Sequence, residues 1–166
     1  MALFSLEISE GAAVISQAMK AVRRKRGLRL REVAEQMGMA QRSYELFEAG
    51  QGKITVERVH AFAQATDCDP YALMLAPRFG SDFAVDCADT KLVLIMIMSL
   101  ERFAQERGSD IAFIEPPHLI GAFQRVFKEL GEKLDNNEAI LNKWLDAGPG
   151  LKGLGSLSLR GLRRKG

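Results

Sequence analysis

Residues 27–50 read GLRLREVAEQMGMAQRSYELFEAG, and this stretch decides the fold. Apolar residues recur at helical spacing on both sides of Gly38, which predicts two short helices joined by a tight turn. Two helices joined in this way form a helix-turn-helix, whose second helix enters the major groove of DNA. The stretch therefore predicts a DNA-binding protein, with helices over about 30–37 and 41–49.

The charge distribution supports this interpretation. The net charge of +2 is small, but positions 20–31 carry seven basic residues and no acidic one. Such a patch is an electrostatic footprint for phosphate. For Arg24, Lys25 and Arg26 an alternative stays open, because basic side chains at the end of a helix are also favourable as a solvated terminus.

Composition excludes other classes of protein. The chain has 166 residues, of which 47% are apolar, as in a globular protein of one or two small domains. The first residues lack signal-peptide features, and the longest apolar run, 92–98, is far shorter than the roughly 20 residues of a membrane span. We expect a cytoplasmic protein, nucleoid-associated when bound to DNA, with no membrane contact. Cys68 and Cys87 are interpreted as ordinary buried thiols, with a redox pair as the alternative.

Helical periodicity continues on both sides of the opening stretch. It predicts a first helix over about 10–26, a fourth over 56–66 with Thr55 as its N-cap, and a fifth from near Pro70. Further helices are expected over about 85–107, from Pro116 or Pro117 to about 134, and after a cap at Asn136 or Asn137. The predicted organisation is all-α: an N-terminal arm (1–9), a DNA-binding domain (10–76), a linker (77–84), a helical dimerisation or interaction domain (85–146) and a basic disordered tail (147–166).

From about Ile15 to Leu75 the sequence resembles the XRE family, the Cro and lambda-repressor type of helix-turn-helix. The resemblance is carried by Arg23, Gly27-Leu28, Val33-Ala34, Met37-Gly38, Glu48 and Gly50. It implies a five-helix all-α domain in which an ion pair between Arg23 and Glu48 joins the first helix to the third. An inward Glu48 needs such a partner, because an unpaired buried carboxylate is costly.

The outward face of the third helix supplies the predicted base contacts. Gln41 aligns with a family position that reads base edges. The face as a whole comprises Gln41, Arg42, Ser43, Glu45 and Leu46. Gln suits adenine, Arg suits guanine, Glu accepts from cytosine, and Leu can touch a thymine methyl group. The alternative is a solvated helix face without a ligand.

Three positions depart from the family pattern. Arg29 and Ala40 stand where Ser or Thr usually caps the second and third helices, and Leu30 stands where Gln usually touches the DNA backbone. Arg29 and Arg31 are the predicted substitutes for that phosphate contact, together with Lys53 in the loop after the third helix.

The second half is predicted to make the protein a homodimer, because related regulators bind two half-sites about one helical turn apart. The predicted dimerisation residues are Leu92, Ile95, Met96, Phe123 and Phe127. The alternative is an antitoxin-like or polymerase-contacting protein, whose C-terminal half binds RNA polymerase or another regulator. We expect no cofactor, metal or catalysis, because His60 and His118 lie in no ligand spacing or nucleophile motif. The resemblance also suggests phage-like target genes.

Overall fold

The computed structural model of the protein describes the backbone of residues 11–147 and the side chains of 11–137 and Ala139. This part of the chain is all-helical, as predicted, with eight α-helices and one 3-10 helix. The helices are α1 Ala12–Lys25, α2 Leu30–Gln36, α3 Gln41–Glu48, α4 Val56–Thr66, α5 Pro70–Phe79, α6 Ser81–Thr90, α7 Leu92–Arg107 and α8 Pro116–Ala147, with the 3-10 helix at Gly108–Phe113. The expected N-terminal arm and the basic tail after residue 147 lie outside the described residues.

The chain divides into two compact units, with the boundary between Gly108 and Ser109. In the first unit, α1 is central and buries Ile15, Ala18, Met19 and Val22, which recur every three or four residues along one side. The other helices add Val33, Ala34, Tyr44, Phe47, Val59, Phe62, Ala72 and Leu73 to the same core. The five predicted helices of the N-terminal domain are confirmed: the first four have bounds within two residues of those expected, and the fifth begins at Pro70 as expected.

Glycine ends each of the first three helices in the same way. Gly27, Gly38 and Gly50 have φ of +68°, +64° and +75°, in the left-handed region that glycine adopts without strain. In each case the residue after the glycine donates its N–H to a carbonyl five residues earlier, over 2.9–3.1 Å. These are Schellman motifs, and they turn the chain sharply enough to place α2 and α3 one after the other.

The N-termini of the helices are capped in different ways. Thr55 accepts the backbone N–H of Arg58 at 3.3 Å, as predicted for the start of α4. At α2, where Arg29 stands in place of the usual Ser or Thr, the Glu32 carboxylate instead accepts the backbone N–H of Arg29 at 2.6 Å. Ala40 has no side chain that can cap α3. The helix-turn-helix therefore depends more on its glycine turns and its core than on N-caps.

Residues 77–84 differ from the expected linker. Pro77 lies inside the last turn of α5, and Gly80, with φ of +91°, turns the chain directly into α6. Ala84, Cys87 and Ala88 are buried in the same core as the first five helices. Pro77 is tolerated there because, so near the end of the helix, it removes only one intrahelical hydrogen bond. A proline, a glycine and a serine thus form a tight corner between two packed helices.

The expected long helix over 85–107 is divided at Lys91, which has a left-handed φ of +51°. This break is stabilised by Asp69, the N-cap of α5. One carboxylate oxygen accepts the N–H groups of Tyr71 and Ala72, both at 3.0 Å. The other accepts those of Val93 at 2.8 Å and Leu94 at 2.9 Å, in the first turn of α7. A single buried carboxylate therefore caps two helices.

Residues 92–98 are only partly buried in the single chain. Within α7 only Val93 is buried, while Leu92 is half-buried against the core. The predicted dimerisation residues Ile95 and Met96 are exposed. The reason is that α7 meets the core only through its first two turns, where Asp69 accepts the N–H of Val93 and Ile97 packs against the core.

The second unit contains the long helix α8. Its 32 residues include Asn136 and Asn137, so the separate last helix that these residues were expected to cap is not formed. The predicted dimerisation residues Phe123 and Phe127 are exposed, together with Leu119, Ile120, Val126, Leu130 and Leu134. Within residues 11–147, no helix has the length and apolar content needed to span a membrane.

Candidate DNA interface

The inner side of α3 is held by a buried polar cluster. The Arg23 guanidinium donates to both carboxylate oxygens of Glu48, through Nε at 2.6 Å and Nη2 at 2.9 Å. Tyr44 Oη donates to the same carboxylate at 2.9 Å. The structure thus contains the ion pair that the resemblance implied, with Tyr44 as a third member. Because the pair is bidentate, it fixes the rotation of α3 relative to α1 as well as its distance.

Burial and charge in this cluster support one another. Burial, and then the adjacent Glu48 carboxylate, raises the pKa of the Tyr44 phenol far above its ordinary value. The hydrogen bond to Glu48 raises the pKa of Arg23. Tyr44 therefore stays a neutral donor and Arg23 a cation near neutral pH. Arg23 also donates to the carbonyl oxygen of Leu28 at 2.9 Å, which fastens the turn before α2.

The outer side of α3 presents the residues predicted to read bases. Gln41, Arg42 and Ser43 are exposed, Leu46 is 40% exposed, and Glu45 is half-buried. Gln41 Nε2 donates to Glu45 Oε1 at 2.8 Å, one turn further along the helix. This bond aligns two of the five side chains and leaves the amide oxygen of Gln41 as an acceptor. The five residues that the sequence predicted to contact bases therefore share one solvent-facing surface of α3.

The predicted phosphate contacts are all exposed to solvent. Arg29 and Lys53 are exposed, at the start of α2 and in the loop before α4. Arg31 is exposed as well, but it donates to Glu35 at 2.7 Å on the same helix. An exposed i,i+4 pair of this kind contributes only about 0.3–0.5 kcal/mol, so it can be exchanged for a phosphate.

Sequence reasoning missed the role of Arg58. Its Nη1 donates to the carbonyl oxygen of Lys53 at 2.8 Å, and its guanidinium lies 5.8 Å from the centre of the Phe47 ring. Arg58 therefore braces the loop after α3 against the core. Gly52 lies in that loop so close to α3 that an added Cβ would be 2.9 Å from the Cα of Phe47. The position of an arginine in the first turn of α4 was a weak signal, because its partner is a backbone carbonyl.

The basic run at the end of α1 is used largely within the molecule. Lys25 and Arg26 both pair with Asp89 of α6, at 2.8 and 2.6 Å. Arg26 also donates to the carbonyl oxygens of Thr66 and Asp67, at the end of α4. The hydrogen bond from Lys25 lowers the pKa of Asp89. These two side chains hold α6 and α4 against α1, whereas Arg24 is exposed.

The two cysteines are free and buried. Burial raises the pKa of the Cys68 thiol to about 11, although the Thr66 hydroxyl donates to its sulfur at 3.3 Å. Burial also raises the pKa of Cys87. Both are therefore protonated thiols near neutral pH, which fits the interpretation as ordinary buried cysteines.

The fold and the exposed face of α3 define a helix-turn-helix domain. Residues 19–73 match the helix-turn-helix family. This domain is of the XRE type, as the sequence resemblance predicted, and the protein is a DNA-binding transcription regulator. Neither the curated proteins nor the solved structures contain a match to the chain.

Proposed function

We propose that the protein is a homodimeric regulator that recognises a specific sequence in double-stranded DNA, with α3 in the major groove. The observation that supports this most directly is the division of α3. Its inner side is fixed by the bidentate bond from Arg23 to Glu48, while its outer side presents polar side chains to solvent. A rigid helix with free hydrogen-bonding groups is what direct readout of bases requires.

Within this proposal each outer side chain has a role. Arg42 offers two parallel donors to guanine O6 and N7, and Gln41 offers an amide to adenine. Glu45 holds Gln41 in the free protein and accepts from cytosine in the complex. Ser43 adds a hydroxyl group, and Leu46 adds an apolar contact for a thymine methyl group.

Replacing Arg42 with alanine is expected to weaken binding to the preferred site by about 5- to 150-fold, because a bidentate base contact contributes about 1–3 kcal/mol of discrimination. The preferred site is first selected from random duplex DNA with the wild-type protein. Affinities are then measured for that site and for a duplex of unrelated sequence. Specific binding should fall much more than non-specific binding.

The matched control is Arg78→Ala, which removes the same charge from an exposed position on α5. It should leave recognition of the site unchanged. Equal losses in the two variants would show that Arg42 acts only as a charge. An unchanged affinity for Arg42→Ala, with Gln41→Ala also unchanged, would contradict the proposed recognition face.

Lys53 is expected to contact a phosphate of the DNA backbone, and Arg29 and Arg31 are expected to contact neighbouring phosphates. Lys53→Ala should therefore reduce the slope of log affinity against log salt by about 1, and it should do so equally on specific and unrelated DNA. The measurement is a titration at four or five salt concentrations. Lys128→Ala, on α8 and outside the DNA-binding domain, is the matched control and should leave the slope unchanged.

The homodimer is proposed because one such domain has a small footprint and regulators of this type read paired half-sites. The exposed apolar side chains Ile95, Met96, Phe123 and Phe127 are consistent with it, since exposed apolar patches of this kind mark interaction surfaces. Light scattering should give the mass of two chains at micromolar concentration. A monomeric mass would favour the alternative, in which a different protein covers these residues.

A further inference from the structure

An unbroken heptad pattern runs along α8. Steps of three and four residues alternate through Ile120, Phe123, Phe127, Leu130, Leu134 and Asn137. The five apolar members of this set are 42–68% exposed. In the sequence the same steps of three and four residues continue to Leu141 and Trp144, so the heptad pattern covers residues 120–144. We call the set from Ile120 to Asn137 the α8 seam.

The period of the α8 seam is informative about what covers it. Alternating steps of three and four give 3.5 residues per turn, whereas a straight α-helix has 3.6. A strict 3.5 repeat keeps its apolar residues in line only when the helix supercoils around another helix of the same kind. The sides of α8 away from the seam carry exposed charges at Arg125, Lys128, Glu129, Glu132 and Asp135. Only one side of the helix therefore needs a partner.

We infer that the α8 seam pairs with the α8 seam of a second copy of this chain, in a parallel and in-register coiled coil. The inference rests on the proposed homodimer, and it assigns the dimer contact to one helix, one direction and one register.

Asn137 supports the parallel direction. In a parallel, in-register pair each seam residue faces its own counterpart, so the two Asn137 amides can donate to and accept from each other. In an antiparallel pair that overlaps fully over 120–144, Asn137 faces Phe127 and its amide is buried without a partner. A buried polar group without a hydrogen bond is costly, so the arrangement in which the two amides meet is favoured.

Lys133, which flanks the seam, supports the same direction. In the antiparallel arrangement it faces Lys133 of the second copy, and two like charges meet at the centre of the interface. In the parallel arrangement it flanks position 138 of the second copy, which is a glutamate in the sequence. Charges beside a seam set the orientation of coiled coils in this way.

The test is disulfide crosslinking of the full-length chain in the absence of DNA. In a parallel pair the two copies of residue 130 face each other, so Leu130→Cys should form a covalent dimer under mild oxidation. Wild-type protein should remain uncrosslinked, because Cys68 and Cys87 are buried. Glu132→Cys, on the exposed side of α8, is the matched control and should stay monomeric on a denaturing gel.

An antiparallel pair gives the opposite pattern. Leu130→Cys alone would then not crosslink, but a mixture of Leu130→Cys and Leu134→Cys would, and this result would overturn the inference. A mass of four copies by light scattering would also overturn it. DNA binding is measured on the same wild-type sample, so that a dimer on DNA with no crosslink at residue 130 rejects the α8 pairing and leaves the proposed function standing. A crosslinked dimer without affinity for DNA rejects the function alone.

Discussion

Replacing Asp69 with alanine is expected to lower the free energy of unfolding by about 2–6 kcal/mol, because each of two buried N–H groups left without an acceptor costs about 1–3 kcal/mol. Of the four N–H groups that this carboxylate accepts, those of Ala72 and Val93 are buried. A small domain has only about 5–15 kcal/mol of total stability, so the loss is a large fraction of it. Urea denaturation followed by circular dichroism measures the effect.

The variant Asp69→Asn separates the two caps. Its amide keeps one oxygen acceptor, so it can cap one helix, while its NH₂ group opposes the N–H groups of the other. We expect a loss between those of wild type and Asp69→Ala. The control is Asp86→Ala, an exposed aspartate on α6, which should change the free energy of unfolding by less than about 0.5 kcal/mol. If Asp69→Ala were as stable as this control, the two-helix cap would contribute nothing.

The second large effect is expected at the buried cluster behind α3. Glu48→Ala leaves the Arg23 guanidinium without its bidentate partner and the Tyr44 hydroxyl without its acceptor. Breaking a buried ion pair by removing one partner costs about 3–5 kcal/mol, so a loss of this size is expected. The same variant should bind DNA more weakly than its folded fraction alone predicts, because α3 has lost its fixed orientation on α1.

A double-mutant cycle tests the pairing itself. Arg23→Met and Glu48→Leu should each destabilise the domain strongly, whereas the double variant should lose much less than the sum of the two. The reason is that an apolar pair of similar volume often replaces a buried ion pair at little net cost. Glu35→Ala, which breaks the exposed pair with Arg31, is the control for a surface contact. Additive losses at Arg23 and Glu48 would mean that the two side chains act independently.

Local signals made the helix-turn-helix predictable from the sequence. Gly27 and Gly38 end helices through bonds that span five residues, and Thr55 caps α4 through a bond that spans three. Both signals depend only on residues that lie close together in the sequence. The Arg23–Glu48 pair was reached only through the family resemblance, because 25 positions separate the two residues.

The remaining features depend on contacts between distant parts of the chain. Asp69 precedes a proline, which suggests a cap for α5, but its bonds to Val93 and Leu94 cross 24 and 25 positions. Lys25 and Arg26 looked like a phosphate patch because Asp89, which pairs with both, lies on α6. Residues 77–84 have the composition of a linker. Only the burial of Ala84 and Cys87 shows that they form a tight corner between packed helices instead.

The division of α3 has a consequence for how this protein can change over evolution. The residues that pack α3 against the core are Tyr44, Phe47 and Glu48. The residues proposed to read DNA take no part in the core. In the proposed function, specificity and stability therefore depend on separate positions of one eight-residue segment. The proposed function therefore predicts that substitutions on the outer side change the DNA sequence that is recognised without unfolding the domain, so that related chains could diverge in their targets while keeping the same fold.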